Sequence, residues 1–196
     1  MADWNVLAKA RNDFADMLDG LSEEQLASPS LCDRWSVVEV AGHLVSLVET
    51  SPVALAAGIA KNRKDPDGFI ATMGVKFGQK GGPAISNSLR ENAAKKMRPF
   101  SEASMVLDTA VHTQDVRRPL GLSGALDPEV LTTSLDFSVA EFAKKHDTMP
   151  RFVATDMDWS SGTGPEVTGT GESLLMALNQ RDVTGELDGP GVELLG

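Results

Sequence analysis

Two histidines and one aspartate in this sequence have the types and the spacing of metal ligands. Asp108 and His112 are four residues apart, so on a helix they lie on one face, about 6 Å apart at the backbone. His43 belongs to a second segment with helical periodicity and shares the inward face with Val40 and Leu47. Two imidazoles and a carboxylate form a ligand set for a divalent ion that keeps coordination positions open. The three residues therefore predict a metalloprotein and, because of the open positions, an enzyme.

Each candidate ligand also has an interpretation without a metal. A single inward histidine such as His43 is more often a satisfied core residue, and Asp108 can simply orient His112 through a charge-assisted hydrogen bond. Asp115, one turn beyond His112, can accept a hydrogen bond from the free ring nitrogen or can belong to a solvated helix end. The presence of all three candidates on inward faces favours the metal site.

The two helices that must carry these ligands have recognisable ends. Ser101 is the expected N-cap of a helix that runs to about Arg118 and contains Asp108 and His112. Ser36 and Glu39 form a capping box at the start of the helix of His43. We expect that second helix to continue to about Gly58, with a kink or a break at Pro52.

Further helices are expected around these two. Helical patterns of apolar residues cover Trp4–Leu21, Ile85–Lys96 and Asp127–His146. Phe69–Phe77 is either a short helix or the irregular cover of a pocket. The neighbouring glycines do not form a phosphate loop, because the lysine of a Walker pattern is missing from its place.

The C-terminal third introduces strand patterns. Strands are expected at Arg151–Asp156 and Glu166–Gly169, and a last helix begins at Gly171. These strands are too few for an independent sheet of typical size, so this unit is expected to lean on the helices. His146 follows two lysines at a helix end, where it suits the helix dipole, and it is not counted as a ligand.

The composition predicts a soluble cytoplasmic protein. With 18 basic and 28 acidic residues, the formal charge of −10 disfavours nucleic acid and anionic membrane surfaces as partners. Cys32 is the only cysteine, so no disulfide forms within the chain, which fits a reducing compartment. The N-terminus lacks the pattern of a signal peptide, and no apolar stretch approaches the length of a membrane span.

Three segments carry a recognisable sequence pattern. Trp35–Leu44 reads Trp-Ser-Val-Val-Glu-Val-Ala-Gly-His-Leu, and Asp108–Gly121 has an acidic residue, a histidine four positions later, an aspartate and a basic, proline-leucine-glycine ending. Both resemble signatures of the mycothiol-dependent maleylpyruvate isomerase family, part of the wider DinB-like group of metal-binding four-helix bundles. The C-terminal segments 154–160 and 162–167 resemble the second domain of the family, so the resemblance covers nearly the whole chain.

The resemblance implies a mainly α fold with two domains. Residues 1–121 would form the DinB-like four-helix bundle, and residues 122–196 a small α/β domain that is compared to sterol-carrier-like domains. By the same likeness His43, Asp108 and His112 are the metal ligands. The implied ion is zinc, with nickel as an alternative, and mycothiol is the implied cofactor, its thiol occupying an open position.

The function that the resemblance implies is isomerisation or thiol transfer on a small electrophilic substrate. The implied partners are a small-molecule electrophile and mycothiol or a similar low-molecular-weight thiol, and the chain is a monomer or a homodimer. The first alternative is a non-catalytic DinB-like module that binds metal or thiol. The second is an all-helical protein whose histidine pair binds no metal. The sequence does not select maleylpyruvate over other electrophiles.

The sequence departs from the family pattern at two positions. The family usually has glutamate where this chain has Asp108, which is one methylene shorter, so the ion must lie closer to this helix or be held less tightly. In the family, an arginine that follows a glycine after the last helix is thought to hold a substrate carboxylate. Arg181 corresponds to it as a candidate catalytic residue, but Gln180 replaces the glycine. A solvated Arg181 is the alternative.

Overall fold

Helices make up most of the computed structural model, which describes residues 6–195. The predicted helix start at Trp4 and the N-terminal residues without a signal-peptide pattern lie outside the described residues. The helices are α1 Val6–Asp19, α2 Glu23–Ala27, α3 Val37–Glu49, α4 Pro52–Lys61, α5 Pro66–Gly78, α6 Gly82–Glu91, α7 Glu102–Arg117, α8 Pro128–Lys145 and α9 Gly171–Leu178. The strands are β1 Arg151–Ala154, β2 Ser160–Ser161 and β3 Glu166–Gly169.

The helices that carry the candidate ligands, α3 and α7, begin at the predicted caps. The Glu39 carboxylate accepts a hydrogen bond of 2.8 Å from the backbone N–H of Ser36, which satisfies one of the free donors at the start of α3. The Ser101 hydroxyl accepts from the backbone N–H of Ser104 at 3.1 Å, at the start of α7. The capping signals therefore predicted both helix starts correctly.

The helix of His43 does not continue to Gly58 as one straight element. It ends at Glu49, and Pro52 starts α4 after the N-cap Ser51. The two helices are bent by 118° at this break. Proline cannot donate a backbone hydrogen bond and clashes with the preceding turn, but it fits the first turn of a new helix. Of the two alternatives at Pro52, the chain adopts the break.

The middle of the chain, where the sequence is less decisive, is helical in two places. The segment Phe69–Phe77 lies in α5, so it is a helix and not an irregular cover. The expected helix Ile85–Lys96 is shifted, because α6 starts at Gly82 with a proline in its first turn and ends at Glu91. Proline at a helix start explains the early beginning.

Glycines bring α3 and α5 into direct backbone contact. A Cβ atom on Gly42 would lie 2.3 Å from the carbonyl oxygen of Gly74 and 2.3 Å from the backbone nitrogen of Gly78. No side chain fits in this space. Because Gly42 directly precedes His43, the close contact fixes the backbone of the first candidate ligand.

A three-stranded sheet forms the centre of the C-terminal unit. Its strand order is β2-β1-β3, in which β1 pairs antiparallel with β2 and parallel with β3. The sequence predicts β1 and β3 but misses β2, since its two residues lie in a turn-rich run. Phe152 and Leu174 of this unit share a hydrophobic core with Leu135 of α8 and Val106 of α7. The unit therefore packs on the bundle, as expected, and the boundary at residue 121 stays a prediction.

Membrane-spanning character is limited within the described residues. No single helix between residues 6 and 195 is long and apolar enough to cross a membrane. Helices α3 and α4 meet the test of length and composition only as a pair, across their 118° bend.

Candidate metal centre

The structure brings His43 of α3 together with Asp108 and His112 of α7. Asp108 Oδ1 lies 3.5 Å from His43 Nε2 and 3.6 Å from His112 Nε2. The two imidazole rings meet edge to face with centroids 4.9 Å apart. One ligand atom from each residue lies within 4.8 Å of the other two. The geometry is therefore that of a single three-donor cluster.

The donor spacing fits a tetrahedral divalent ion. Ligand bonds of about 2.0–2.2 Å at tetrahedral angles place the donor atoms roughly 3.3–3.6 Å apart. The two measured oxygen-to-nitrogen distances, 3.5 and 3.6 Å, lie at the upper end of this range. The histidines are 7% and 8% exposed, whereas the Asp108 side chain is 33% exposed. The Asp108 carboxylate thus lies within this spacing of both imidazoles, and its role as a ligand stays a prediction.

Asp108 is ionised in this environment. Burial acts to raise its pKa, but the neighbouring His43, His112 and Arg11 outweigh burial and hold the pKa below its ordinary value. The carboxylate therefore presents a hard oxygen donor between two imidazoles.

Trp35 holds His43 in place, a contact that the sequence reasoning missed. Its indole ring stacks on the imidazole with centroids 4.9 Å apart and an interplanar angle of 22°. The indole N–H donates to the carbonyl of Ala71 at 3.1 Å. Within the described residues, His43 Nδ1 is buried without a hydrogen-bond partner, so packing against Trp35 orients the ring. The signal was available, since Trp35 opens the segment that resembles the family signature.

Asp115 lies on the opposite side of His112 from Asp108. It is fully buried, and its Oδ2 lies 2.9 Å from His112 Nδ1. Burial acts to raise the pKa of Asp115, but hydrogen bonds from His112 and Arg181 outweigh it and hold the pKa well below its usual range. Because the carboxylate carries no proton, the proton must lie on His112 Nδ1. His112 Nε2 is thereby directed at the candidate metal position.

The same contacts change the protonation of His112. Burial acts to lower its pKa, but Asp115, Cys32 and Asp108 outweigh it and raise the pKa to about 10. A metal ion that binds Nε2 therefore displaces a proton from this ring.

Arg181 reaches the centre through Asp115. Its Nε donates to Asp115 Oδ1 at 3.0 Å, and its Nη2 donates to Oδ2 at 2.7 Å. A third group, Nη1, donates to the carbonyl of Asn179 at 2.9 Å. The arginine therefore pairs with Asp115 while its side chain stays 27% exposed, and it lies on the side of His112 away from Asp108. Its expected contact with a substrate carboxylate stays a prediction.

Cys32 is a second neighbour that the spacing of residues did not reveal. Its Sγ lies 3.1 Å from Asp115 Oδ2 and 3.7 Å from His112 Nδ1. Cys32, His112 and Asp115 form a second cluster of potential ligand atoms. The Arg181 guanidinium already occupies the Asp115 carboxylate and opposes a cation there. The cluster of His43, Asp108 and His112 is the better cation site.

A cavity of about 320 Å³ opens beside His43 and Asp108. It lies between α3, α4, α5 and α7, and the break at Pro52 turns α4 across it. Its wall is mainly apolar: Leu47, Leu55, Ile59, Ile70, Met97 and Met105. A small molecule in this cavity would lie directly against two of the three candidate ligands.

The sequence of the bundle matches a known family. The model for the mycothiol maleylpyruvate isomerase N-terminal domain matches residues 7–120, more than half of the 196 residues. The chain belongs to this family. His43, Asp108 and His112 all lie within the matched residues. None of the curated proteins matches the chain.

Two solved structures align with 94% of the chain. The first is a crystal structure of the mycothiol-dependent maleylpyruvate isomerase, which is 11% identical in sequence. The alignment covers 94% of this chain and 90% of that chain, with a TM-score of 0.53. A mutant of that enzyme with a histidine replaced by alanine is 14% identical over the same shares, with a TM-score of 0.47. The first likeness shows that this family member has the same fold, a helical bundle followed by a small α/β unit.

Proposed function

We propose that this member of the mycothiol maleylpyruvate isomerase family is a metal-dependent enzyme. His43, Asp108 and His112 would hold a divalent ion, zinc or alternatively nickel. Mycothiol or a similar low-molecular-weight thiol would serve isomerisation or thiol transfer on a small electrophile. The observation that supports this proposal most directly is the convergence of three donors, at metal-like spacing, on the wall of an apolar cavity.

The residues of the chain prepare the centre for this chemistry. An ion held by His43, Asp108 and His112 would lower the pKa of a bound thiol, so that a thiolate would be available at neutral pH for addition to an activated double bond. Asp115 keeps the Nδ1 proton on His112, so Nε2 is the nitrogen that this ring would offer to an ion once its proton is displaced. Trp35 holds the ring of His43 by stacking on it. Arg181 holds Asp115 in position. The apolar side chains around the cavity exclude water from the reacting groups.

The setting of this activity is also proposed. The formal charge of −10 argues against nucleic acid or an anionic membrane surface as a partner, and the single cysteine suits the cytoplasm. A monomer or a homodimer would serve equally, because all three donors come from one chain.

Metal content tests the first half of the proposal. Elemental analysis of the mildly purified protein should find about one equivalent of a divalent metal, as expected for one three-donor site. His43→Ala should fall below about a tenth of an equivalent, since two donors hold an ion weakly. His146→Ala is the matched control, because His146 lies at the C-cap of α8, and it should keep the metal. A wild type without metal that gains none on dialysis against zinc would overturn the proposal.

Thiol-dependent turnover of several electrophiles, with and without zinc, tests the second half. The proposal requires turnover of an electrophile that depends on the thiol and on zinc. The alternative of a non-catalytic module predicts uptake of metal and thiol without chemistry. A histidine pair that binds no metal predicts a thermal midpoint that zinc does not raise, whereas ligation to the folded state raises it.

A further inference from the structure

The cavity beside the candidate metal centre is lined, among the described residues, by no lysine and no arginine. The polar side chains are His43, Asp108 and Ser104, and Asp108 is negatively charged. The rest of the wall is apolar, with Phe100 at its exposed edge. The wall therefore offers a bound molecule apolar contact but no counter-charge for an anion.

The buried guanidinium of Arg11, which contacts the lining residue Met105, is already bound elsewhere. Arg11 lies behind Met105, with Nη2 4.0 Å from Met105 Sδ. Its Nη1 donates to three backbone carbonyls, those of Asn92, Ala93 and Lys95, at 3.1, 3.0 and 2.7 Å. Arg11 is 4% exposed, so a ligand in the cavity cannot contact it without displacing Met105.

We propose that this site takes an uncharged electrophile with an apolar body and discriminates against dicarboxylates. The proposal rests on the proposed function for the electrophilic group, whereas the preference for an uncharged body rests on the cavity itself. A metal ion at His43 and Asp108 can offset one negative charge. A second carboxylate would lie among Leu47, Ile59 and Ile70, where burial without a partner is costly. The volume of about 320 Å³ fits a small molecule, since ligand pockets span roughly 300–1,000 Å³.

Binding of unreactive probes tests this preference without any turnover. Diethyl succinate and succinate share a carbon chain and differ in two negative charges, and neither has a double bond for a thiol to attack. Calorimetric titration of the zinc-loaded full-length chain should give a Kd for the diester at least about tenfold lower than for the dianion, a difference of about 1.4 kcal/mol. Equal or tighter binding of succinate would overturn the proposal.

A lysine introduced into the cavity wall should change the preference. Ile59→Lys places an ammonium group beside the ligand, so the ratio of the two Kd values should shift at least about tenfold toward succinate. Val53→Lys on the same helix is the matched control, because Val53 is 79% exposed and does not line the cavity; its ratio should stay within about twofold. Ile70→Lys is the second variant should Ile59→Lys not fold. Two results would show that the ligand binds outside the cavity and would overturn the proposal. Either the ratio of the two Kd values stays unchanged in a folded cavity variant, or it shifts equally in Val53→Lys.

Turnover separates this proposal from the proposed function. Diethyl maleate and maleate are the reactive counterparts of the two probes. Faster thiol addition to maleate would contradict the preference and leave the metal and thiol chemistry intact. Selective binding of diethyl succinate, with no turnover of maleate or of diethyl maleate, would contradict the enzymatic function and leave the preference intact.

Discussion

Replacing Asp115 with asparagine removes a negative charge from a position that no solvent reaches and leaves two cationic groups facing an amide. The carboxylate accepts hydrogen bonds from Arg181 at 2.7 and 3.0 Å and from His112 at 2.9 Å. Removing one partner of a buried ion pair costs about 3–5 kcal/mol. The Arg181 side chain keeps 27% exposure, and the amide oxygen still accepts one hydrogen bond. We therefore expect Asp115→Asn to lower the free energy of unfolding by about 3 kcal/mol.

Urea unfolding of the metal-free protein, followed by circular dichroism, measures this loss. Arg181→Gln and the double variant complete a cycle whose coupling energy should be about 1.5–3 kcal/mol, because the two side chains touch. Glu166→Gln is the matched control, since Glu166 pairs with Arg151 at 3.1 Å and both are about half exposed. It should change the free energy by no more than about 0.5 kcal/mol.

The effect has a defined pH dependence. The folded-state pKa of Asp115 lies below its unfolded value, so the stabilisation is fully present above pH of about 4 and is lost as the pH falls toward the folded-state pKa. The difference between wild type and Asp115→Asn should shrink by about 1 kcal/mol between pH 5 and pH 3. Three results would refute the reasoning. The first is that Asp115→Asn lowers the free energy of unfolding by less than about 1 kcal/mol at pH 7, and the second is that its effect and that of Arg181→Gln simply add in the double variant. The third is that the difference in free energy between wild type and Asp115→Asn does not change with pH.

Three further variants test other features. Gly42→Ala should lower the free energy of unfolding in urea by at least about 3 kcal/mol, because its Cβ would lie 2.3 Å from the backbone of α5. Gly20→Ala is the control, since the nearest atom to its Cβ would lie at 3.4 Å. Equal losses in the two variants would contradict the argument. Asp115, Cys32 and Asp108 outweigh the effect of burial and raise the pKa of His112 to about 10. Protonation of His112 should therefore stabilise the metal-free fold fully below pH of about 6.5, and this stabilisation should be lost as the pH rises toward about 10. The argument is contradicted if the thermal midpoint of the wild type falls over this pH range no more than that of His112→Gln. Asp108→Glu should raise the zinc Kd about tenfold in a chelator competition, since the donors already have metal-like spacing; tighter binding would show that aspartate is too short.

The parts of the fold that the sequence predicted are encoded locally. The N-caps Ser36 and Ser101 act on residues within one turn, and the spacing of Asp108 and His112 fixes their relative direction on any helix. The inward face of His43 follows from apolar neighbours three and four residues away. These local rules explain why the cluster of three donors could be anticipated before its geometry was known.

The parts that the sequence missed depend on contacts across long separations. Cys32 contacts His112 although the two residues are 80 positions apart in the sequence, and no local pattern in its segment indicates that contact. Strand β2 has only two residues, too few to show an alternating pattern. At Pro52 a kink and a break have the same local signal, so the sequence leaves the choice between them open.

The glycine contact between α3 and α5 has a consequence for recognising related proteins. A chain that keeps the two histidines and the carboxylate can still lose the geometry of the centre when a larger residue stands at position 42, because its Cβ would lie 2.3 Å from the backbone at positions 74 and 78 and the helices must then move apart. The useful search pattern is therefore composite. It asks for a glycine directly before the first histidine and for two further glycines one helical turn apart, about thirty positions later, in addition to the ligands. Homologues that fulfil both halves should share this arrangement of helices, and those with the ligands alone belong in a separate group.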